Sequence, residues 1–345
     1  MSFQPQQPIR CGPINVEGLR TFLKNEGFSE GMWKIAEESF QKQPIRFFIV
    51  DDSGSMNAGD GSQIIVHGHK TMMIPCSRWT ELTTSLKFHA LLAHYSNAVT
   101  EFRLLNAYDP VVVGLPNDPR DGLTQALRIF STSSPGGATP LCRHIIAVTT
   151  QLKLLETQLR ANGQRAVLVI ATDGESSDGD IIEVLKPLQS LPVWMVIRLC
   201  TNDIKIRQYW NNIDKELEIQ IDVLDDIKDE AYEIYKYNKW CTYSEQLHHL
   251  RECGITLKEI DLLDEKSLSS EEMKVICSIL IGNGNAKEIP PPEGDWSLFL
   301  HTIQSYLLTA PRVYDPIKNS LQPIINLYEL KRQYHPSVCD ICVIS

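Results

Sequence analysis

The 345 residues are 43% hydrophobic and 22% charged, the balance of a folded chain rather than a disordered one. That length exceeds a single core of about 180–200 residues and leaves room for something smaller beside it. A net charge of −10 argues against a nucleic-acid binder, because neutralising phosphates takes a basic face. No run of about 18 apolar residues occurs to span a membrane, and the polar stretch Met1 to Arg10 has no apolar signal core. The nine cysteines are scattered and odd in number, and no Asn-x-Ser/Thr acceptor is present, so a reducing cytosolic setting is expected.

In chain order, Val16 to Phe40 reads as two short helices broken at Glu26-Gly27-Phe28, with Ser29 capping the second. The helix–Gly-Phe–helix pattern resembles small ubiquitin-binding bundles; the favoured reading is a packing appendage spanning residues 1–43. From Ile45 strands alternate with helices, which predicts a doubly wound, mostly parallel α/β sheet flanked by helices over residues 44–226. Ile45–Asp51, Ala166–Thr172 and Pro192–Leu199 are short, almost purely apolar runs, as strands buried on both faces should be. Further strands are expected at Thr100–Asn106, Val111–Leu115 and Ile219–Leu224. Helices are expected at Arg78–Asn97, Arg120–Phe130, from Thr139 to Asn162-Gly163, at Asp180–Leu188 and at Ile204–Leu217. Beyond Asp226 the pattern is helical through residue 330, with Ser269-Ser270-Glu271-Glu272 as a helix start. Gly282-Asn283-Gly284-Asn285 and Pro290-Pro291-Pro292 read as a linker or wide loop, and Trp296–Leu308 and Pro316–Tyr334 as further helices. Residues 331–345 read as a flexible tail.

Three segments concentrate oxygen ligands. The first buried strand ends in Asp51-Asp52-Ser53-Gly54-Ser55, where Gly54 lets one tight turn present a carboxylate and two hydroxyls. Pro135-Gly136-Gly137-Ala138-Thr139-Pro140 delivers another hydroxyl at a helix start, and Ala171-Thr172-Asp173-Gly174 ends a second buried strand in a carboxylate. An all-oxygen set of this kind suits Mg²⁺ or Mn²⁺ and not zinc. Ligands of open α/β sheets sit at the carboxyl ends of strands where the strand order reverses, so the five side chains converge if those two strands are neighbours.

In order and separation, these segments resemble the metal-ion-dependent adhesion site of von Willebrand factor type A (vWA) domains, over roughly Pro44 to Asp226. The resemblance implies a vWA/Rossmann-like fold in which Ser53 and Ser55 ligate the metal directly. It further implies that Asp51 acts through hydrogen bonds and water, that Thr139 ligates in at least the active state, and that Asp173 completes the shell. One coordination position would stay open for an Asp or Glu of a protein partner. The chain is similar to copines only in this domain, since the segment before Pro44 is too short for their lipid-binding domains. Neutral hydroxyls and two acids leave residual positive charge on such an ion, which favours binding over catalysis. Asp52 and Glu175 are read as solvated or capping residues rather than a catalytic base. The alternatives are a metal-dependent hydrolase or its regulatory subunit, or a ubiquitin-pathway adaptor.

Ile64 to Cys76 is read as a β-hairpin insertion on the rim; the alternative, a zinc site of His67, His69 and Cys76, lacks a fourth ligand. The terminal Cys342-Val343-Ile344-Ser345 matches a prenylation box that favours farnesyl on Cys342. One such chain anchors weakly, which makes Cys339 a palmitoylation candidate. The expectation is a non-enzymatic, lipid-anchored docking protein, cytoplasmic and peripheral on the cytoplasmic face of a membrane, that does not bind nucleic acid.

Overall fold

Ile45–Val50 (β1) is buried at every position, as a strand covered on both faces must be. The computed structural model describes residues 12–335 apart from 69, 107, 108, 117, 119, 218–220 and 256. Before β1 come the helices Val16–Asn25 (α1) and Glu30–Lys42 (α2). They are separated by Gly27 at a φ of 80°, and the Ser29 hydroxyl caps α2 by accepting from the Met32 amide. After β1 comes an antiparallel hairpin, Gly61–His67 (β2) with Lys70–Cys76 (β3), and then Arg78–Ser96 (α3). Val99–Leu104 (β4), Val111–Val113 (β5), Gly122–Thr132 (α4) and Leu141–Ala161 (α5) follow. The sheet continues through Ala166–Thr172 (β6), Ile181–Leu185 (α6), Val193–Leu199 (β7), Ile204–Glu216 (α7) and Ile221–Leu224 (β8).

The six strands lie in the order β5-β4-β1-β6-β7-β8, parallel except for the antiparallel edge strand β5. This is the doubly wound, mostly parallel α/β architecture expected from the alternation of strands and helices. Side-chain alternation divides the core in two. Ile45, Phe47 and Ile49 of β1, with Leu168 and Ile170 of β6, pack against α5, α6 and α7. Phe48 and Val50, with Val167 and Val169, face Leu82, Leu86, Ala90 and Ala93 of α3, the stripe expected for that helix.

Past β8 the chain forms Ile227–Tyr237 (α8), Glu245–Glu252 (α9), Lys258–Asp261 (α10), Ser270–Leu280 (α11) and Trp296–Leu307 (α12). Ser269 and Glu272 close a reciprocal capping box on α11. The helix expected over 316–334 is instead a short hairpin, Val313–Asp315 (β9) with Ser320–Gln322 (β10), followed by Leu327–Tyr334 (α13). The reason is local. Asp315 Oδ1 accepts from the amides of Ile317 and Lys318 and closes a turn, Asn319 is left-handed, and Asn326 starts a new helix by capping it.

The N-terminal and C-terminal segments share one core. Leu19, Phe22, Leu23 and Met32 pack with Trp240, Ile276, Leu280 and Phe299, and with Phe88 and Leu92 of α3. Gly254, at a φ of 74°, lets the loop after α9 press on the sheet, where an added Cβ would stand 2.8 Å from Val167 Cγ1. Gly282 is not part of a free linker, since its carbonyl accepts from the Gly31 amide at 2.9 Å. At that contact a Cβ on Gly31 would lie 2.5 Å from the Ile279 carbonyl oxygen and 2.6 Å from that of Ser278. Gly31→Ala should therefore lower stability by about 1–2 kcal/mol, overpacking outweighing the better helix propensity of alanine. A urea midpoint equal to or above that of the wild type would show that α2 and α11 separate freely.

Candidate metal centre

β1 and β6 are adjacent and parallel, with Val50 opposite Ala171. The chain leaves β1 toward β4 on one side and later reaches β6 on the other, so the strand order reverses between them. Asp51 and Asp173 emerge at the carboxyl edge of that junction, and the Asp51 amide still donates to Ala171 at 2.9 Å. Asp51 is fully buried. Its Oδ1 accepts from the Ser53 amide at 2.9 Å and its Oδ2 from the Thr172 hydroxyl at 2.7 Å. The Ser53 and Ser55 hydroxyl oxygens are 3.0 Å apart, and Ser55 donates to Asp173 Oδ1 at 2.8 Å.

Asp51, Ser53, Ser55 and Asp173 thus form one hydrogen-bonded group. The Thr139 hydroxyl makes no hydrogen bond to this group among the described residues, and only the backbone of its loop is tied to the turn. The Gly54 amide donates to the Gly137 carbonyl at 3.2 Å, and the Gly136 amide to the Asp52 carbonyl at 2.7 Å. The carbonyl of Thr139 itself accepts from the amides of Leu141 and Ser177.

Asp52 departs from expectation. It is buried rather than solvated, and its Oδ1 accepts from the Asn106 amide at 2.8 Å and Nδ2 at 3.1 Å. Asn106 Nδ2 also donates to the Ala138 carbonyl at 2.7 Å, so Asp52 and Asn106 tie the Thr139 loop to the Asp51–Ser55 turn. Glu175 is exposed, as expected.

Two participants carry no sequence signal of their own, Asn106 and Arg78, while Thr172 stands in the motif segment without a role implied there. The Arg78 guanidinium donates to both carboxylate oxygens of Asp60, at 2.7 and 2.6 Å, and through Nη1 to Asp173 Oδ2 at 2.8 Å. Hydrogen bonds to Asp60, then to Asp173, raise its pKa against the opposing effect of burial and keep it charged. Burial pushes the Asp51 carboxyl up; hydrogen bonds from Ser53 and Thr172 oppose this, and the negative charge of Asp173 adds to it. Asp52 is also raised by burial, against the bonds from Asn106.

The donor set fits a hard divalent ion. Adjacent ligands of an octahedral Mg²⁺ at about 2.1 Å lie about 3.0 Å apart, and the Ser53–Ser55 and Ser55–Asp173 separations are 3.0 and 2.8 Å. A buried carboxylate raised by its surroundings is a group whose charged form a cation would stabilise.

The hairpin β2–β3 stands where the rim insertion was expected, and it does not assemble the alternative zinc set. Cys76 pairs with Gly61 at its base and His67 with Lys70 at its tip, about 20 Å apart along the strands. His69 lies outside the described residues, as do Cys339 and Cys342. A different group of ligand-type side chains does come together: His89, His249 and Glu252 are buried with their donor atoms within 4.8 Å of one another, a set that could hold a metal ion.

No protein-family model matches the chain, and no curated protein matches it. Among solved structures, a crystal structure described as the SpRpn10 VWA domain is similar at 14% identity and a TM-score of 0.35. That match covers 52% of this chain and 86% of the other.

Proposed function

We propose that the chain is a vWA-type protein-interaction module that uses a Mg²⁺ or Mn²⁺ ion to capture an Asp or Glu of a protein partner. The observation that carries this reading is the hydrogen-bonded group Asp51, Ser53, Ser55 and Asp173 at the reversal of strand order. Ser53 and Ser55 would offer hydroxyl oxygens, Asp173 a carboxylate, and Asp51 would orient the turn from beneath. Thr139 would approach from the neighbouring loop. The ion would supply positive charge and a free coordination position for an incoming carboxylate. Binding is favoured over catalysis because the acid beside the turn, Asp52, is buried and committed to Asn106 rather than free to act as a base.

Affinity capture from lysate in Mg²⁺ against EDTA tests the reading. The partner should be retained only with metal, and Thr139→Ala should weaken capture more than metal retention. Partner binding that survives EDTA unchanged would place docking on another surface.

The tail adds the second part of the proposal, a farnesyl group on Cys342 supported by palmitoylation of Cys339, which would hold the module on the cytoplasmic face of a membrane. Cys342→Ser should give a wholly cytosolic protein. Mass spectrometry that finds an unmodified Cys342 with Val343-Ile344-Ser345 still attached would end this part of the proposal without touching the metal site.

A further inference from the structure

Glu252, the last residue of α9, is buried where α3, α9 and β7 meet. Its Oε2 lies 2.7 Å from Ser85 Oγ, 3.0 Å from His89 Nε2 and 2.8 Å from His249 Nδ1. Its other oxygen faces Arg198 Nε at 3.1 Å and His248 Nε2 at 3.5 Å. A carboxylate oxygen has about two lone-pair positions, so three donors converging on Oε2 exceed what it accepts well.

The far side of each ring is already placed. His249 Nε2 stands 4.0 Å from Glu245 Oε1, and His89 Nδ1 stands 3.8 Å from Cys253 Sγ. With the ring protons on these far nitrogens, the two nitrogens facing Glu252 present lone pairs to a carboxylate, an arrangement that a further proton or a metal ion between them relieves. His248 Nε2, in the same cluster, is buried without a hydrogen-bond partner. Beside the group is a crevice of about 40 Å³ lined by Ser62, Glu81, Arg198, His248, His249 and Glu252 among others, large enough for a water molecule.

We propose that His89 Nε2, His249 Nδ1 and Glu252 Oε2 form a second cation site, for a borderline divalent ion of the Zn²⁺ class. Two imidazoles and a carboxylate are a three-ligand zinc set that leaves a fourth position for water. Ligands of a tetrahedral zinc lie about 3.3 Å apart, so the Oε2–nitrogen separations of 3.0 and 2.8 Å need to open by a few tenths of an ångström, and the three atoms already lie within 4.8 Å of one another. Arg198 on the other oxygen and Glu245 behind His249 act as the orienting outer groups. With His89 on α3 and the other two ligands on α9, the ion would clamp the C-terminal helices to the sheet domain. The nitrogen ligands separate this site chemically from the all-oxygen centre at Asp51.

The test is equilibrium dialysis of the full chain against Zn²⁺ in excess Mg²⁺, with bound metal counted per chain. One Zn²⁺ per chain is expected, retained in Asp173→Ala and at least about tenfold weaker in a His89→Gln, His249→Gln double variant. The Co²⁺-loaded wild type should show the intense visible absorption of a four-coordinate ion, which keeps the test decisive if the double variant does not fold. No stoichiometric Zn²⁺ in the wild type, Zn²⁺ fully retained by the double variant, or only the weak absorption of six-coordinate Co²⁺ would each overturn the proposal.

Discussion

Arg251→Met is expected to lower the unfolding free energy by about 3–5 kcal/mol, the scale for removing one partner of a buried ion network. Arg251 is 2% exposed and pairs with Glu230, with Asp264 at 2.9 Å and with Asp222 at 3.3 Å. One guanidinium thus ties β8, α8 and the loop after α10 to α9. Burial works against its charge, yet Glu230 and Asp222 hold its pKa well above the ordinary value. Burial pushes the Glu230 carboxyl up, and Arg251 is the main influence drawing it back. Without the arginine Glu230 would rise further. A carboxyl raised in the folded state contributes stability that is present at low pH and lost as pH rises through its folded pKa. The variant should therefore be least impaired in mild acid and most impaired at neutral pH and above. Urea denaturation across that range measures both effects, and Glu230→Gln in the same chain should recover part of the loss. A loss under about 1 kcal/mol at neutral pH would mean that water, not Arg251, solvates these carboxylates.

In Asp173→Ala the rise in melting temperature on adding Mg²⁺ or Mn²⁺ should vanish. In the wild type an ion at about a hundred times its dissociation constant should add about 2.7 kcal/mol, because it binds the folded state alone. Asp173 is the acceptor for Ser55 and a partner of Arg78, so its loss would take away the proposed carboxylate ligand and free the hydroxyl that it orients. Arg78 keeps both bonds to Asp60, so the metal-free variant should still fold cooperatively. Differential scanning calorimetry with and without metal decides the matter. A wild type that shows no metal-dependent shift, or a variant that keeps the full shift, would remove the ion from the Asp51 turn.

Much of the sheet was legible from the chain alone, because its signals are local. Fully apolar runs such as Phe47-Phe48-Ile49 specify strands buried on both faces. Ser29 and Ser269 start helices by bonds that close within a single turn. The Asp51 turn was recognisable for the same reason, since its first three oxygen side chains lie within five residues. Local signals also misled: Pro316–Tyr334 has a helical composition, but Asp315 and Asn319 close a turn that the pattern of apolar residues does not report. Only strand order brings Ser55 to Asp173, 118 residues away, and sets Thr172 beneath Asp51 across 121. The same holds for Arg78 beside Asp173, Asn106 under the Thr139 loop, and His89 against Glu252 across 163 residues. A lone histidine on an apolar helix face carries no record of its partner. Such meetings follow from which strands pair and which helix faces bury against each other, and the free energy that selects them belongs to the packed core rather than to any segment.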